Sequence, residues 1–234
     1  MASLKEVKGR IASVNNTRKI TSAMKMVASA KLHKAQAAIE SMLPYERRLH
    51  HILTDFMSNC TEVTSPFIVK REVKKVAVVV FASNTSLCGG FNANVIRHLV
   101  DLLAEYKPLG LENILVFPVG KKVADAVRKL GFRIEGDFQH MADKPSYQEA
   151  ADLAADLMKR FLHGDVDKVE LLYNHFKSTA SQILTRETYL PIDLNNEKKE
   201  EERTIDYILE PSAEELMQEM LPKVLRLSLI HISE

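Results

Sequence analysis

The residues of this chain most able to do chemistry lie in Ser83 to Val95, SNTSLCGGFNANV, which follows a β-branched run and precedes a helical pattern. In α/β proteins a turn at that place binds phosphate on loop amides and a helix N-terminus. The stretch holds neither G-x-G-x-x-G nor G-x-x-x-x-G-K-[ST], and no Lys to reach a terminal phosphate. Gly89 and Gly90 are more simply read as a tight strand-to-helix turn, with Cys88 as a packing thiol: no His or Asp is tied to it by a recognised spacing. His50 and His51 are adjacent, so a helix points them to different sides, unlike a metal pair at i,i+4. Asp101, Glu105, Asp143, Asp152 and Asp156 are dispersed without a convergent acid/base pair. No catalytic residue, cofactor site or metal site is expected. The residues themselves leave open a nucleotide-binding enzyme or regulator using the Leu87 to Asn92 loop.

The elements around this loop alternate. Lys75 to Phe81 reads as a strand apolar on both faces, as buried parallel strands are. Asn92 to Tyr106 reads as a helix, Asn113 to Val119 as a strand, and Lys121 to Leu130 and Ser146 to Leu162 as helices. Lys168 to Phe176 and Gln182 to Leu190 read as two more strands. This order predicts an α/β fold: a Rossmann-like, mainly parallel sheet with helices on both faces and perhaps an antiparallel edge. Asn195 to Arg203, NNEKKEEER, reads as a solvated loop, and Ser212 to Glu215 as the cap of a last helix that Pro222 interrupts or restarts.

The N-terminal region has a different pattern. Ser3-Leu-Lys-Glu6 reads as a capping box, so a helix should start at residue 4. Apolar residues recur at three- and four-residue steps from Leu4 to Met42, and YERRLHHILTDFM resumes the pattern after Pro44, giving roughly 80 Å of helix almost to Asn59. Between Val7 and Ile39 there are seven Lys or Arg and no Asp or Glu. A one-sign helix forgoes the usual i,i+4 ion pairs, and its narrow stripe of small residues suits a coiled-coil seam.

The 234 residues carry a net charge of +1, with 46% hydrophobic and 27% charged residues, so the basic excess is a matter of placement. Binding to nucleic acid is disfavoured because no aromatic residue precedes Tyr45, although a steep salt dependence of DNA association would reveal it. Direct membrane insertion is disfavoured too, since no apolar run reaches the roughly 20 residues a bilayer needs. A protein partner fits the helix best. Cys60 and Cys88 are far apart and are read as reduced thiols.

LKEVKGRIASVNNTRKITSAMKMVASAKLHKAQ resembles the N-terminal helix of the rotary ATP synthase gamma subunit family almost position by position. SLCGGFN at Ser86 to Asn92 resembles the family's Leu-Cys-Gly-Gly turn, and DYILEP at Asp206 to Pro211 its Asp-Tyr-x-x-Glu-Pro signature. The resemblance implies a non-catalytic central-stalk rotor subunit of a proton-translocating ATP synthase. Its helical shaft would rise into the ring of alpha and beta subunits, while the Rossmann-like domain sits by the epsilon subunit on the membrane rotor ring. Thr21, Met24, Lys25, Ala28 and Lys31 would then face the moving acidic lever of beta, and Tyr207 and Glu210 would lie at the foot. The implied domains are a shaft half at 1–60, the α/β domain at 73–193 and the start of a C-terminal helix at 204–227. Ser228 to Glu234, SLIHISE, look unrelated to the family and are expected to be a non-native tail on a truncated chain. With that resemblance, the MASLKE start without a transit peptide favours a peripheral protein at the cytoplasmic face of a bacterial inner membrane over the alternative, a mature organellar form.

Overall fold

The computed structural model describes residues 3–59, 65–178, 181–192 and 213–233, in two compact units, Met1–Pro44 and Tyr45–Glu234. Helix α1, Leu4–Asn59, begins where the capping box places it: Glu6 N–H donates to Ser3 Oγ at 3.3 Å, and Val7 N–H to the Ser3 carbonyl at 3.1 Å. Arg10 pairs with Glu6 at 2.7 Å across one turn. The helix runs through Pro44, which supplies no N–H to the carbonyl one turn before it. In the first unit every side chain from Ser3 to Lys34 is exposed.

The second unit is built on a five-stranded sheet of order β3-β2-β1-β4-β5. Strands β1 (Val76–Phe81) and β2 (Ile114–Val119) are buried along their whole length and pair in parallel, Val76 opposite Ile114 and Phe81 opposite Val119. The short β3 (Arg133–Ile134) extends the sheet beside β2, and β4 (Lys168–Ser178) lies parallel on the other side of β1. The last strand, β5 (Ser181–Leu190), returns antiparallel along β4 and is the edge. Helices α2 (Phe91–Tyr106) and α3 (Lys121–Leu130) cover one face, where Val95, Leu99, Leu102, Leu103, Val123 and Val127 pack on Val76, Val78, Val80, Ile114, Val116 and Leu172. These strand residues alternate, so the intervening ones serve the other face. A short α4 (Gln139–Asp143) precedes α5 (Tyr147–His163), which packs against α6 (Ala213–Ser233).

Polar ties fix the segments that enter and leave the sheet. Asp167 Oδ2 accepts from the amides of both Lys74 and Lys75 at 2.9 Å, joining the approach to β1 with the approach to β4. Arg71 donates to the Phe161 carbonyl at 2.9 Å with its guanidinium 4.5 Å from the Phe161 ring centre, closing the C-terminal turn of α5. Ile192 N–H donates to the Phe67 carbonyl at 2.9 Å.

Edge strand β5 is clasped to the sheet by charge. Glu170 on β4 is 2% exposed at its side chain and takes the Arg186 guanidinium on both oxygens, at 2.9 and 3.1 Å. Tyr106 Oη donates to Glu170 at 2.7 Å, Lys168 adds a further charge-assisted bond, and Arg186 also grips Glu105 on α2 at 2.7 Å. Burial alone would raise the Glu170 pKa, but the bonds from Arg186, Lys168 and Tyr106 outweigh it and hold the carboxylate below its ordinary value. Arg186 is raised by its bonds to Glu170, and Tyr106 is raised by burial and by the same carboxylate. The four charged groups sum to zero, which satisfies the buried carboxylate.

Two expectations need correcting. Pro222 neither ends nor restarts the last helix, because α6 runs unbroken through it. Residues 228–233, expected as a non-native tail, continue α6, and Leu229 and Ile230 are 0% and 3% exposed. The cap proposed at Ser212 lies outside the described residues.

Candidate partner-binding face and the loop after the first strand

On α1 the residues singled out by sequence separate into two groups. At 100° per residue, Thr21, Met24, Ala28 and Lys31 share one face, while Lys25 lies about a quarter turn to the side. Met24, Ala28 and Lys31, with Ile20, Ala23 and Val27, line a shallow apolar groove along the helix. Ile20, Met24 and Val27 are 58–60% exposed, a large apolar area to leave in water. Ile20 and Ala23 were not singled out by sequence, although Ile20 stands one turn before Met24 and could have been found by extending the stripe.

Hydroxyls on this face are turned inward. Thr17 donates to the Ser13 carbonyl at 3.0 Å, and Thr21 to the Thr17 and Arg18 carbonyls at 3.0 Å each. Each threonine therefore satisfies its polar group on its own helix and asks no partner for a hydrogen bond. The cations are in the opposite condition. Between residues 3 and 41 the only carboxylates are Glu6 and Glu40, and among the described residues no ion pair engages Lys25 or Lys31. The surface is thus apolar along its groove and flanked by uncompensated positive charge.

The loop after β1 is organised by two asparagines. Asn92, 8% exposed, accepts from Ser83 N–H at 3.0 Å and donates to the Thr85 carbonyl at 2.8 Å, so its amide is spent inside the loop. Asn84 accepts from Lys121 N–H at 2.7 Å, capping α3, and donates to the Gln139 carbonyl at 2.8 Å. Gly89 sits at φ +58°, a conformation that favours glycine, while Gly90 at φ −81° forms the N-cap of α2. Cys88 Sγ lies 3.6 Å from the Thr85 carbonyl and is half-buried, and Leu87 is 89% exposed. Asn92 is thus spent inside the loop, Asn84 ties the loop to α3 and α4, and Leu87 is left facing water. Substituting Asn92 with Ala strands Ser83 N–H and the Thr85 carbonyl and should cost about 2 kcal/mol of stability, read as a lower urea midpoint at unchanged slope. A loss below 0.5 kcal/mol would contradict this account of the loop.

The remaining sequence candidates fall elsewhere. Tyr207 and Glu210 lie outside the described residues, as do the side chains of His50 and His51. Among the described residues no group of three or more His, Cys, Asp or Glu could hold a metal ion, and no helix is long and apolar enough to cross a membrane.

Comparison with known proteins places this geometry. The ATP synthase family model matches residues 3–233. The ATP synthase gamma chain of Phocaeicola vulgatus is 77% identical over 234 residues, covering 99% of this chain and 81% of that relative. The chain belongs to the ATP synthase gamma chain family. The gamma chain of Bacteroides thetaiotaomicron is 60% identical over 236 residues, covering 96% of this chain and 79% of its own length. This gamma chain therefore spans about four-fifths of the length of the curated relatives it matches. A chain of the Tetrahymena thermophila mitochondrial ATP synthase central stalk and c-ring structure superposes with a TM-score of 0.58 at 20% identity, over 91% of this chain and 90% of that one, and so shares the fold. Gamma chains of the family are non-catalytic stalk subunits. The family match continues through residues 228–233, which overturns the reading of SLIHISE as an unrelated tail.

Proposed function

We propose that this gamma chain is the rotor of a bacterial, ion-driven ATP synthase, and that the face bearing Thr21, Met24, Ala28 and Lys31, with Lys25 beside it, is its bearing surface against the alpha and beta ring. The observation that carries the assignment of the surface is the exposed, one-sign helix: an apolar groove flanked by unpaired cations, whose threonine hydroxyls are already satisfied. Such a surface attracts acidic levers at long range and holds none of them in a fixed geometry, which a turning shaft requires. In this reading residues 1–60 form one half of the shaft and 73–193 the α/β foot, with 204–227 opening the C-terminal helix. Tyr207 and Glu210 face the epsilon subunit and the membrane rotor ring. The bacterial relatives support a peripheral position on the cytoplasmic side of the inner membrane, held there by partners.

The test is co-purification with alpha, beta and epsilon subunits at graded salt. Reversing Lys25→Glu and Lys31→Glu together should weaken association with the alpha and beta ring about tenfold at low salt and less at high salt. Unchanged affinity at both salts would remove the bearing role from this face. Tight, loop-dependent binding of ATP, ADP or NAD to the isolated chain would instead favour the nucleotide-binding alternative.

A further inference from the structure

The methionines of this chain divide by access to water. Among those whose side chains are described, Met141, Met158 and Met217 are 0–5% exposed and Met220 is half-buried, whereas Met24 and Met26 are 58% and 71% exposed. The two open thioethers stand two residues apart on α1 and so project about 200° from one another around the helix. Met24 lines the apolar groove beside Ile20, Val27 and Ala28, while Met26 lies outside it. Every side chain from Ser3 to Lys34 is exposed, so a change at either sulfur disturbs no core.

A thioether in water is open to two-electron oxidants, and its sulfoxide is polar where the parent group was apolar. With hydrogen peroxide as the oxidant, the sulfur attacks one peroxide oxygen and an S–O bond forms as the O–O bond breaks. The departing hydroxide takes the proton of the transferred hydroxyl and leaves as water. Sulfur gives up two electrons and peroxide accepts them. At Met26 the new S–O group stays in water. At Met24 it must be stripped of water when an apolar surface closes over the groove, and Ile20, Val27 and Ala28 offer it no hydrogen bond in return.

We propose that Met24 is a reversible oxidation site, and that its sulfoxide bars the free chain from docking the α1 groove onto the alpha and beta ring. The effect on docking rests on the bearing role given to this face above; the selectivity of oxidation does not. Peroxide reaches Met24 only while the groove is open, so the site acts on the chain before assembly and keeps oxidised copies out of the complex.

The test exposes the full chain to dilute hydrogen peroxide and maps its peptides by mass spectrometry, with far-UV circular dichroism to identify folded samples. Met24 and Met26 should be oxidised at least about tenfold faster than Met141, Met158 and Met217, which burial shields. Association with the alpha and beta ring is then measured before and after oxidation, and the ratio of the two affinities is compared between chains. Oxidation should weaken association about tenfold in the parent chain and in Met26→Leu, and leave it unchanged in Met24→Leu. Methionine sulfoxide reductase with dithiothreitol should restore the oxidised parent. Equal oxidation of exposed and buried methionines in the folded chain, or equal weakening of the parent and Met24→Leu, overturns the proposal. Ring binding by the parent that oxidation leaves unchanged overturns it too and lets the bearing role stand; failure of the unoxidised chain to bind the ring removes both.

Discussion

Substituting Gly120 with Ala should lower the unfolding free energy by about 4 kcal/mol, enough to leave much of the chain unfolded at 37 °C. Gly120 joins β2 to α3 at φ +113°, and a Cβ there would stand 2.1 Å from the Ala82 carbonyl oxygen. Two costs add. The backbone conformation is strained for any L side chain, by about 1–3 kcal/mol. The obstructing atom is main chain at the end of β1, where Ala82 N–H donates to the Val119 carbonyl at 2.8 Å, so relief means pulling a sheet hydrogen bond apart. Gly131→Ala is the control: its φ is +77° but the space is open, so about 1 kcal/mol is expected. Urea titrations of the two variants giving equal losses would show that the close approach of the two loops contributes nothing.

The second large effect belongs to Glu170. Glu170→Ala should cost about 3 kcal/mol, because it leaves Arg186 and Lys168 gathered around an empty anion site and Tyr106 without an acceptor. Both cations are partly exposed and can turn toward water, which places the expected loss at the low end of the range for broken buried pairs. The sign of the pH dependence follows. A carboxylate held below its ordinary pKa in the folded chain contributes stability that is fully present above about pH 4.5 and lost as the pH falls through its folded value. The acid limb of a stability-versus-pH curve should therefore be shallower in Glu170→Gln than in the parent chain. Parallel acid limbs would mean that other carboxylates govern acid unfolding.

Much of the fold was legible because the residues that position it act locally. VAVVVF admits only a buried strand, and Gly120, Gly131 and Gly164 mark ends that a 3.6-residue period already suggested. What escaped was set by tertiary context. Strand β3 is two residues long and exists because β2 offers a free edge, so Arg133 and Ile134 carry no periodicity of their own. Pro222 is a helix breaker by propensity, yet buried Leu221 and Leu225 on either side of it hold α6 through the missing bond. SLIHISE looks foreign by itself, but Leu229 continues the stripe of Met217, Leu221 and Leu225, and Ile230 is buried beside it.

The candidate site was read with a similar division. The basic excess and the stripe centred on Met24 follow from composition and spacing alone. That Lys25 stands aside from the groove while Ile20 and Ala23 line it depends on angular position, which residue type does not report. The loop after β1 could be judged short of phosphate-binding residues, but the direction of its asparagine amides, which turn inward and cap α3, required coordinates.

The hydrogen bond from Ile192 to the Phe67 carbonyl has a topological consequence. It ties the chain that leads into the sheet to the chain that leaves it, so the polypeptide from 68 to 191 is closed at its neck by a main-chain bond. A body closed in this way is an insertion in sequence but not in packing: α6 lies beyond the neck and returns to α5, so the burial of the body is completed by chain from outside it.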